Sequence, residues 1–164
     1  MLREISAGGV VVRPTSAGWE IAVIEPRGDT ATGETDKKSH KKDLLALPKG
    51  LIDAGEKATE TAVREVREET GINARILTKL VDSKYVYVRT WGDKQRVFKI
   101  VTFYLLAYES GTIDDVSAEM RIEVKQARWI PLEEAEKKLS YRGERDAVRL
   151  AREQLKSLKL EAQP

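Results

Sequence analysis

The chain has 164 residues, 41% of them apolar and 34% charged, which is one domain's worth of sequence around a single core. Its 29 Lys and Arg against 27 Asp and Glu leave a formal charge of +2, too balanced to hold nucleic acid or another polyanion through bulk electrostatics, so any anion must be bound locally. Cysteine is absent, which excludes disulfides and thiolate nucleophiles. Histidine occurs once, as His40 in a Lys-rich polar stretch, which argues against a Ser-His-Asp triad or a His-rich metal site.

Met1-Leu2-Arg3-Glu4 carries charge with no apolar run behind it and does not read as a signal peptide. The most apolar stretch, Val97 to Tyr108, is interrupted by Lys99 and is too short for a membrane span. A soluble, cytoplasmic protein with no membrane partner is therefore expected. Ile5 to Val12 and Trp19 to Ile24 are rich in β-forming residues and flank a Pro14 to Gly18 turn, which predicts a hairpin. Arg27 to Lys42 has no apolar periodicity, with five basic and three acidic residues, and reads as a polar surface loop: a solvated insertion or a phosphate-catching flap.

Leu44 to Pro48 is a short apolar run, and Gly50 to Gly55 is expected to be a loop. Ala62, Val63 and Val66, with Thr59 behind them, fall on one side of a predicted helix over Ala58 to Thr70, which Gly71 is placed to terminate. Arg75 to Thr90 and Gln95 to Tyr108 read as long strands joined by Trp91-Gly92-Asp93-Lys94, a hairpin signal. A polar loop from Glu109 to Arg121 leads to a strand near Val124 to Ile130, ended by Pro131. Glu133 to Leu139 predicts a short helix and Glu144 to Leu158 a longer one, burying Ala147, Val148, Ala151, Leu155 and Leu158. With no repeat and no regular βα alternation, the expectation is a single α/β (α+β) domain over residues 1–164, a mixed β-sheet sandwiched between helices.

The chemistry concentrates in Gly50 to Ile72, GLIDAGEKATETAVREVREETGI, which holds six Asp or Glu against three Lys or Arg. Offsets of three and four residues gather Glu65, Glu68 and Glu69 on one side of the helix, beside the apolar arc, and Glu56 precedes them. Like charges this close repel by about 0.2–0.5 kcal/mol per exposed pair, and more when partly buried. Two offsets are open. Arg64 and Arg67 would make an ordinary salt-bridged helix, whereas a divalent cation bound by oxygen ligands alone would be Mg²⁺, Mn²⁺ or Ca²⁺ in preference to zinc.

The segment resembles the Nudix box, G-x5-E-x7-R-E-U-x-E-E-x-G-U with U aliphatic, and agrees at Gly50, Glu56, Arg64, Glu65, Val66, Glu68, Glu69, Gly71 and Ile72. The order of strands around it also looks like the Nudix fold. That resemblance implies hydrolysis of a diphosphate linked to another moiety, with Mg²⁺ or Mn²⁺ as cofactor. By position it makes Glu68 and Glu69 metal ligands, Glu65 a ligand or base, and Glu56 an outer or additional ligand. It has Arg64 orient the glutamates, Gly50 allow a tight loop, and the Lys49 backbone carbonyl serve as a further ligand.

Leu47-Pro48-Lys49-Gly50, Lys99 to Tyr104, Ala127-Arg128-Trp129-Ile130 with Glu133-Glu134-Ala135, and Leu139-Ser140-Tyr141-Arg142 are together similar to the diadenosine polyphosphate hydrolase branch. In that branch a glutamate six residues before the Trp is an extra ligand or base, which here is Glu123, with Glu119 competing for the role. The implied partner is a small nucleotide, with nucleic acid entering only as an RNA 5′ end. Oxidised nucleoside triphosphates, ADP-ribose and inositol pyrophosphates are alternative substrates, and a nucleotide-sensing module without turnover is the non-enzymatic alternative. Lys99 and Phe103 share a strand parity and could offer a cation to phosphate and a ring to a base, or could equally be an edge residue and a core residue. Tyr85 and Tyr87 share a face, and Tyr141 precedes a helix with Arg142 and Arg145, which would suit a nucleotide with several phosphates or simple packing at element ends.

Overall fold

The computed structural model describes residues 1–27, 44–89 and 92–158. Strand β1 (Leu2–Thr15) is the spine of the sheet. It turns at Ser16 and Ala17 into β2 (Gly18–Pro26), with Val12 opposite Ile21 and Thr15 opposite Gly18, which is the predicted first hairpin. Nearer its start, the same edge of β1 pairs with the short β3 (Lys49–Leu51), Gly8 lying opposite Lys49. The other edge runs parallel to β5 (Arg96–Gly111) from Leu2 opposite Val97 to Val12 opposite Ala107. β5 forms a long antiparallel hairpin with β4 (Ile72–Val88), and β2 pairs with β6 (Val124–Pro131), so the order is β4-β5-β1-β2-β6 with β3 beside β1. The sheet is mixed, as expected.

Both faces are covered in the middle of this sheet, which is why the central parts of β1, β2 and β5 read as near-continuous apolar runs and not as a clean alternation. Val10, Val12, Ile21, Val23, Val101, Phe103 and Leu105 project to one side. There they meet Leu132, Ala135 and Leu139 around helix α2 (Leu132–Lys138) and Ala147, Val148, Ala151 and Leu155 of α3 (Arg142–Ser157). The residues between them, Val11, Ala22, Tyr104 and Leu106, project to the other side against Ala62 and Val66 of α1 (Ala58–Thr70). The predicted sandwich of helices about a sheet is thus realised by strand parity, with period 2 sending successive side chains to opposite layers.

Four local expectations need correction. Leu158 is 47% exposed, because α3 ends at Ser157 and its buried stripe closes with Leu155. Gly50 lies in β3, so the loop begins after Leu51. β4 starts at Ile72, directly after the helix cap, because Ile72 and Ala74 bury against the α1 layer although Ile72-Asn73-Ala74 lacks a strand-like composition. Val63 is only partly buried, leaving Ala62 and Val66 as the inward pair of α1. The polar stretch from residue 28 to residue 42, with His40, and Trp91 of the second hairpin turn lie outside the described residues. No described helix is long and apolar enough to cross a membrane.

Gly71 ends α1 in the left-handed region at φ 84°, its N–H donating to the Arg67 carbonyl, and the backbone of Thr112 and Asp115 occupies the space where a Cβ would stand. Gly71→Ala is expected to cost at least about 1–3 kcal/mol through conformational strain alone. A urea unfolding series should therefore show a clearly lower midpoint with the slope unchanged.

Candidate active site

The loop ahead of α1 is closed by a hydrogen bond from Glu56 N–H to the Asp53 carbonyl (3.0 Å), and the helix start is secured by Lys57 N–H on Glu60 Oε1 (2.8 Å). Glu56 Oε1 accepts from Thr61 Oγ1 (2.6 Å) and from Asp53 N–H (3.1 Å). Arg64, nearly two turns into the helix, then collects the carboxylates. Its Nε donates to Glu56 Oε2 (2.7 Å) and its Nη2 to Glu56 Oε1 (2.9 Å), while Nη1 donates to Glu68 Oε1 (2.9 Å) and Glu65 Oε2 (3.1 Å). A further bond from Nη2 to the Leu51 carbonyl (3.2 Å) ties this cluster to the end of β3. The planar guanidinium fork suits this task, since its five N–H donors point in fixed directions and reach three carboxylates and a carbonyl at once. The Arg64 hydrogen bonds hold the Glu56 carboxyl down to about 2, so Glu56 is ionised at any ordinary pH.

Glu65 is turned inward, 8% exposed, and its carboxylate lies against the backbone of Gly50, where any Cβ would overlap it. Gly50 therefore makes room for the Glu65 carboxylate, while the left-handed turn residue in this loop is Gly55, at φ 81°. Burial pushes the Glu65 carboxyl above its ordinary range; Arg64 opposes this, and the charges of Glu68 and Glu123 add to it. Glu69 goes further, to about 8: burial is the main cause, the Lys49 ammonium and a hydrogen bond from Lys49 N–H (3.1 Å) oppose it, and Glu65 and Glu123 reinforce it.

The loop carrying Glu119 and Glu123 is braced by Asp114, whose Oδ1 accepts from Arg121 Nη1 (2.7 Å) and Ala127 N–H (2.8 Å). Arg27 N–H donates to the Glu123 carbonyl (2.9 Å) from the end of β2. Glu68, Glu119 and Glu123 border one hollow of about 370 Å³, and the charge of Glu123 is felt at both Glu65 and Glu69.

Among the described residues no three acidic or imidazole side chains are set as a ready metal-ligand group; the Arg64 guanidinium gathers Glu56, Glu65 and Glu68 instead. The donor set nevertheless fits a hard divalent cation. It is all oxygen, and Glu69 is kept protonated near neutral pH by burial and by neighbouring carboxylates, so additional positive charge there is favourable.

Lys49 stands where this cluster meets a cavity of about 520 Å³. Pairing of β4 with β5 places Ser83 opposite Val101 and Tyr85 opposite Lys99, and parity puts Phe103 on the same face, so these residues form its floor and one wall. Tyr141, Arg142, Gly143 and Glu144, at the start of α3, form the other. Burial works against the Lys49 charge, but Glu144 and then Glu69, Tyr85 and Tyr141 outweigh it and raise its affinity for the proton well above the ordinary lysine value.

Of the residues singled out from the sequence, Lys99, Phe103 and Tyr141 border this cavity. Phe103 is also core, 2% exposed. Tyr87 does not border the cavity: it is buried, and its hydroxyl donates to Glu4 Oε1 (2.8 Å), the oxygen that Lys99 Nζ approaches at 3.9 Å. Arg145 points elsewhere, to the Leu139 carbonyl (2.7 Å). Sequence reasoning missed Glu4 and Glu144. Glu144 had a signal, since it sits three and four residues before Ala147 and Val148 on the buried stripe of α3, where an unpartnered carboxylate would not be tolerated. Glu4 had none, because its partners come from β4 and β5.

An acidic loop and helix set against a mixed sheet, with a cleft lined by Lys49, Lys84, Lys99 and Arg142 on the opposite layer, define an α+β domain in which carboxylates and basic side chains lie close together. The model of the family described as NUDIX domain matches residues 10–151, and the chain belongs to that family. It is 34% identical over 157 residues to a Mycobacterium tuberculosis protein provisionally named mutator protein MutT4, covering 96% of this chain and 58% of that one. The asymmetrical bis(5′-nucleosyl)-tetraphosphatase of Mus musculus is 39% identical over 90 residues, 54% of this chain and 56% of that one. The chain thus spans somewhat more than half the length of these relatives. A C. elegans Ap4A hydrolase binary complex shares its fold at a TM-score of 0.64 and 21% identity, over 94% of this chain and 98% of the other.

The raised Glu69 carboxyl has a consequence for stability. Its folded-state value of about 8 lies above the ordinary carboxylate value, so its contribution is complete at acid pH and is lost as pH climbs through about 8. Glu69→Gln keeps an acceptor for Lys49 N–H without the charge. In metal-free protein it should raise Tm relative to the parent at pH 9 and leave the difference near zero at pH 5, measured by calorimetry.

Proposed function

We propose that this protein is a divalent-cation-dependent pyrophosphohydrolase that cleaves a phosphoanhydride of a nucleoside polyphosphate by water attack, with dinucleoside polyphosphates as its substrate class. One observation carries the reading: Lys49 belongs both to the carboxylate cluster, through its N–H on Glu69, and to the cleft, through its side chain. A polyphosphate lying in the cleft would therefore reach the carboxylates with an ammonium already beside it. The named activity of the Mus musculus relative supports the choice of substrate class.

Glu65, Glu68 and Glu69, with the Lys49 carbonyl, would hold Mg²⁺ or Mn²⁺. Glu56 acts from outside that set by fixing Arg64, which in turn orients Glu65 and Glu68. When bound, the cation supplies charge neutralisation at phosphate oxygens and acidifies a water. The proton of the attacking water passes to Glu65 or to Glu123. Glu65 is suited by burial, which lifts its basicity toward the working pH, and Glu123 is preferred to Glu119 because its charge reaches Glu65 and Glu69. Lys49 and Lys99 face the phosphates, and Tyr85 and Tyr141 offer apolar surface to a base above a floor that the core residue Phe103 supports. Tyr87 acts at one remove, by fixing the Glu4 carboxylate beside Lys99. The protein is read as a cytoplasmic enzyme acting on small-molecule nucleotides.

The test is a product-resolved panel with Mg²⁺ and with Mn²⁺. It offers diadenosine polyphosphates, oxidised and normal dGTP, ADP-ribose, triphosphorylated RNA and inositol pyrophosphates. Dinucleoside polyphosphates should turn over fastest. Tight nucleotide binding with no phosphate-bearing product would replace catalysis with nucleotide sensing. Glu68→Gln and Glu69→Gln should each lower turnover by about a hundredfold or more, with circular dichroism unchanged. Undiminished turnover in either variant would remove the metal assignment.

Cation binding should also expel the Glu69 proton. At pH 7, below the Glu69 value of about 8, titration of the metal-free protein with Mg²⁺ should release close to one proton, and the apparent affinity should rise with pH until it levels off above about 8. Calorimetric titrations in two buffers of different ionisation enthalpy measure that release, and a buffer-independent heat at pH 7 would contradict it.

A further inference from the structure

Glu144 is a charged side chain only 3% exposed, in the first turn of α3, and the mechanism above does not use it. Its two oxygens do different things. Oε1 accepts from Leu47 N–H at 2.7 Å, and Oε2 pairs with Lys49 Nζ at 3.3 Å. Leu47 and Lys49 are two residues apart where the chain enters β3, so backbone and side chain of the same stretch converge on a single carboxylate. The near end of that stretch is fixed as well, by Leu45 N–H on Ser140 Oγ (2.9 Å) and Ser140 N–H on the Leu45 carbonyl (2.9 Å). Its far end is fixed by Lys49 N–H on Glu69.

A purely structural tether needs only the acceptor for Leu47 N–H, which a neutral amide supplies at less cost than a buried charge. The second oxygen is spent on Lys49, which joins the carboxylate cluster to the cleft. A flexible ammonium beside Glu69, without a competing partner, would fold back onto that carboxylate and occupy the place of a cation. We propose that Glu144 is a positioning residue, which draws the Lys49 ammonium away from Glu69 and fixes it on the cleft wall as a phosphate contact. This rests on the reading of the cleft as a polyphosphate site, and it adds the helix α3 carboxylate to the residues that determine substrate affinity.

The sign of the effect separates this role from simple charge. Glu144→Gln makes the cleft more positive, and electrostatics alone would then tighten anion binding. If Glu144 acts through Lys49, binding instead weakens. Calorimetric titration of the full chain with inorganic tripolyphosphate in the presence of Mg²⁺ is expected to show an affinity lower by about tenfold for Glu144→Gln and for Lys49→Met, as for residues in one hydrogen-bonded network. The double variant should be no weaker than Lys49→Met alone, and with a cleavable substrate the Glu144→Gln loss should fall on KM more than on kcat.

Unchanged or tighter binding by Glu144→Gln, losses that multiply in the double variant, or parent protein that fails to bind tripolyphosphate would each overturn the proposal. Should Glu144→Gln not fold, Glu144→Asp takes its place. It keeps the charge, so electrostatics alone would leave binding unchanged, whereas a shorter side chain that cannot span Leu47 N–H and the ammonium together should weaken it. Unchanged binding by Glu144→Asp would then overturn the proposal. Parent protein that binds tripolyphosphate with this pattern but cleaves nothing on the substrate panel would overturn the enzymatic reading and leave the role of Glu144 standing.

Discussion

Mutual repulsion among carboxylates on one helix is the constraint around which this molecule is organised. Glu65, Glu68 and Glu69 fall within a single turn and a half, and Glu56 and Glu123 approach from either side. The protein answers with two cations of different kinds. Arg64 has a rigid fork, already on the helix, and it satisfies Glu56, Glu65 and Glu68 at once. Lys49 comes from β3 and its charge acts on Glu69, whose proton affinity stays high because burial outweighs that compensation. The remaining deficit of positive charge is what a divalent cation would fill.

The scaffold exists to bring that helix and Lys49 together. A sheet buried on both faces has little freedom to slide, because a one-residue slip would send every inward side chain to the wrong layer. β1 sits at its centre, paired with β5 along one edge and with β2 and β3 along the other. α1 packs on one face and α3 on the opposite one, yet both address the same short strand: Glu69 reaches the backbone of Lys49, and Glu144 reaches its side chain. β3 is thus the place where the two layers meet chemically, and the cavity opens there between the start of α3 and strands β4 and β5.

Legibility from sequence followed the range of the interactions. α1, its Gly71 cap and the crowding of its glutamates were readable, since they rest on contacts three and four residues apart. The first hairpin and the long β4–β5 hairpin were readable from turn chemistry and composition. The shared parity of Lys99 and Phe103 marked two residues that do reach the cavity. Tyr87 obeyed the same parity argument against Tyr85 but sits deeper, because its hydroxyl has a partner, Glu4, that parity cannot reveal.

The amino-acid order alone therefore determined the helix, the strand pairs joined by short turns, the placement of carboxylates on one helical arc and the membership of a sheet buried on both faces. Tertiary structure decided how those carboxylates are satisfied, that Gly50 makes room for Glu65, that Leu158 lies beyond the buried stripe, and that Glu144 and Lys49 meet. The physical reason is separation along the chain. Periodicity and capping act over a few residues, whereas Lys49 and Glu144 are brought within 3.3 Å across ninety-five positions only after β1 has paired with both β3 and β5 and α3 has packed on the resulting face.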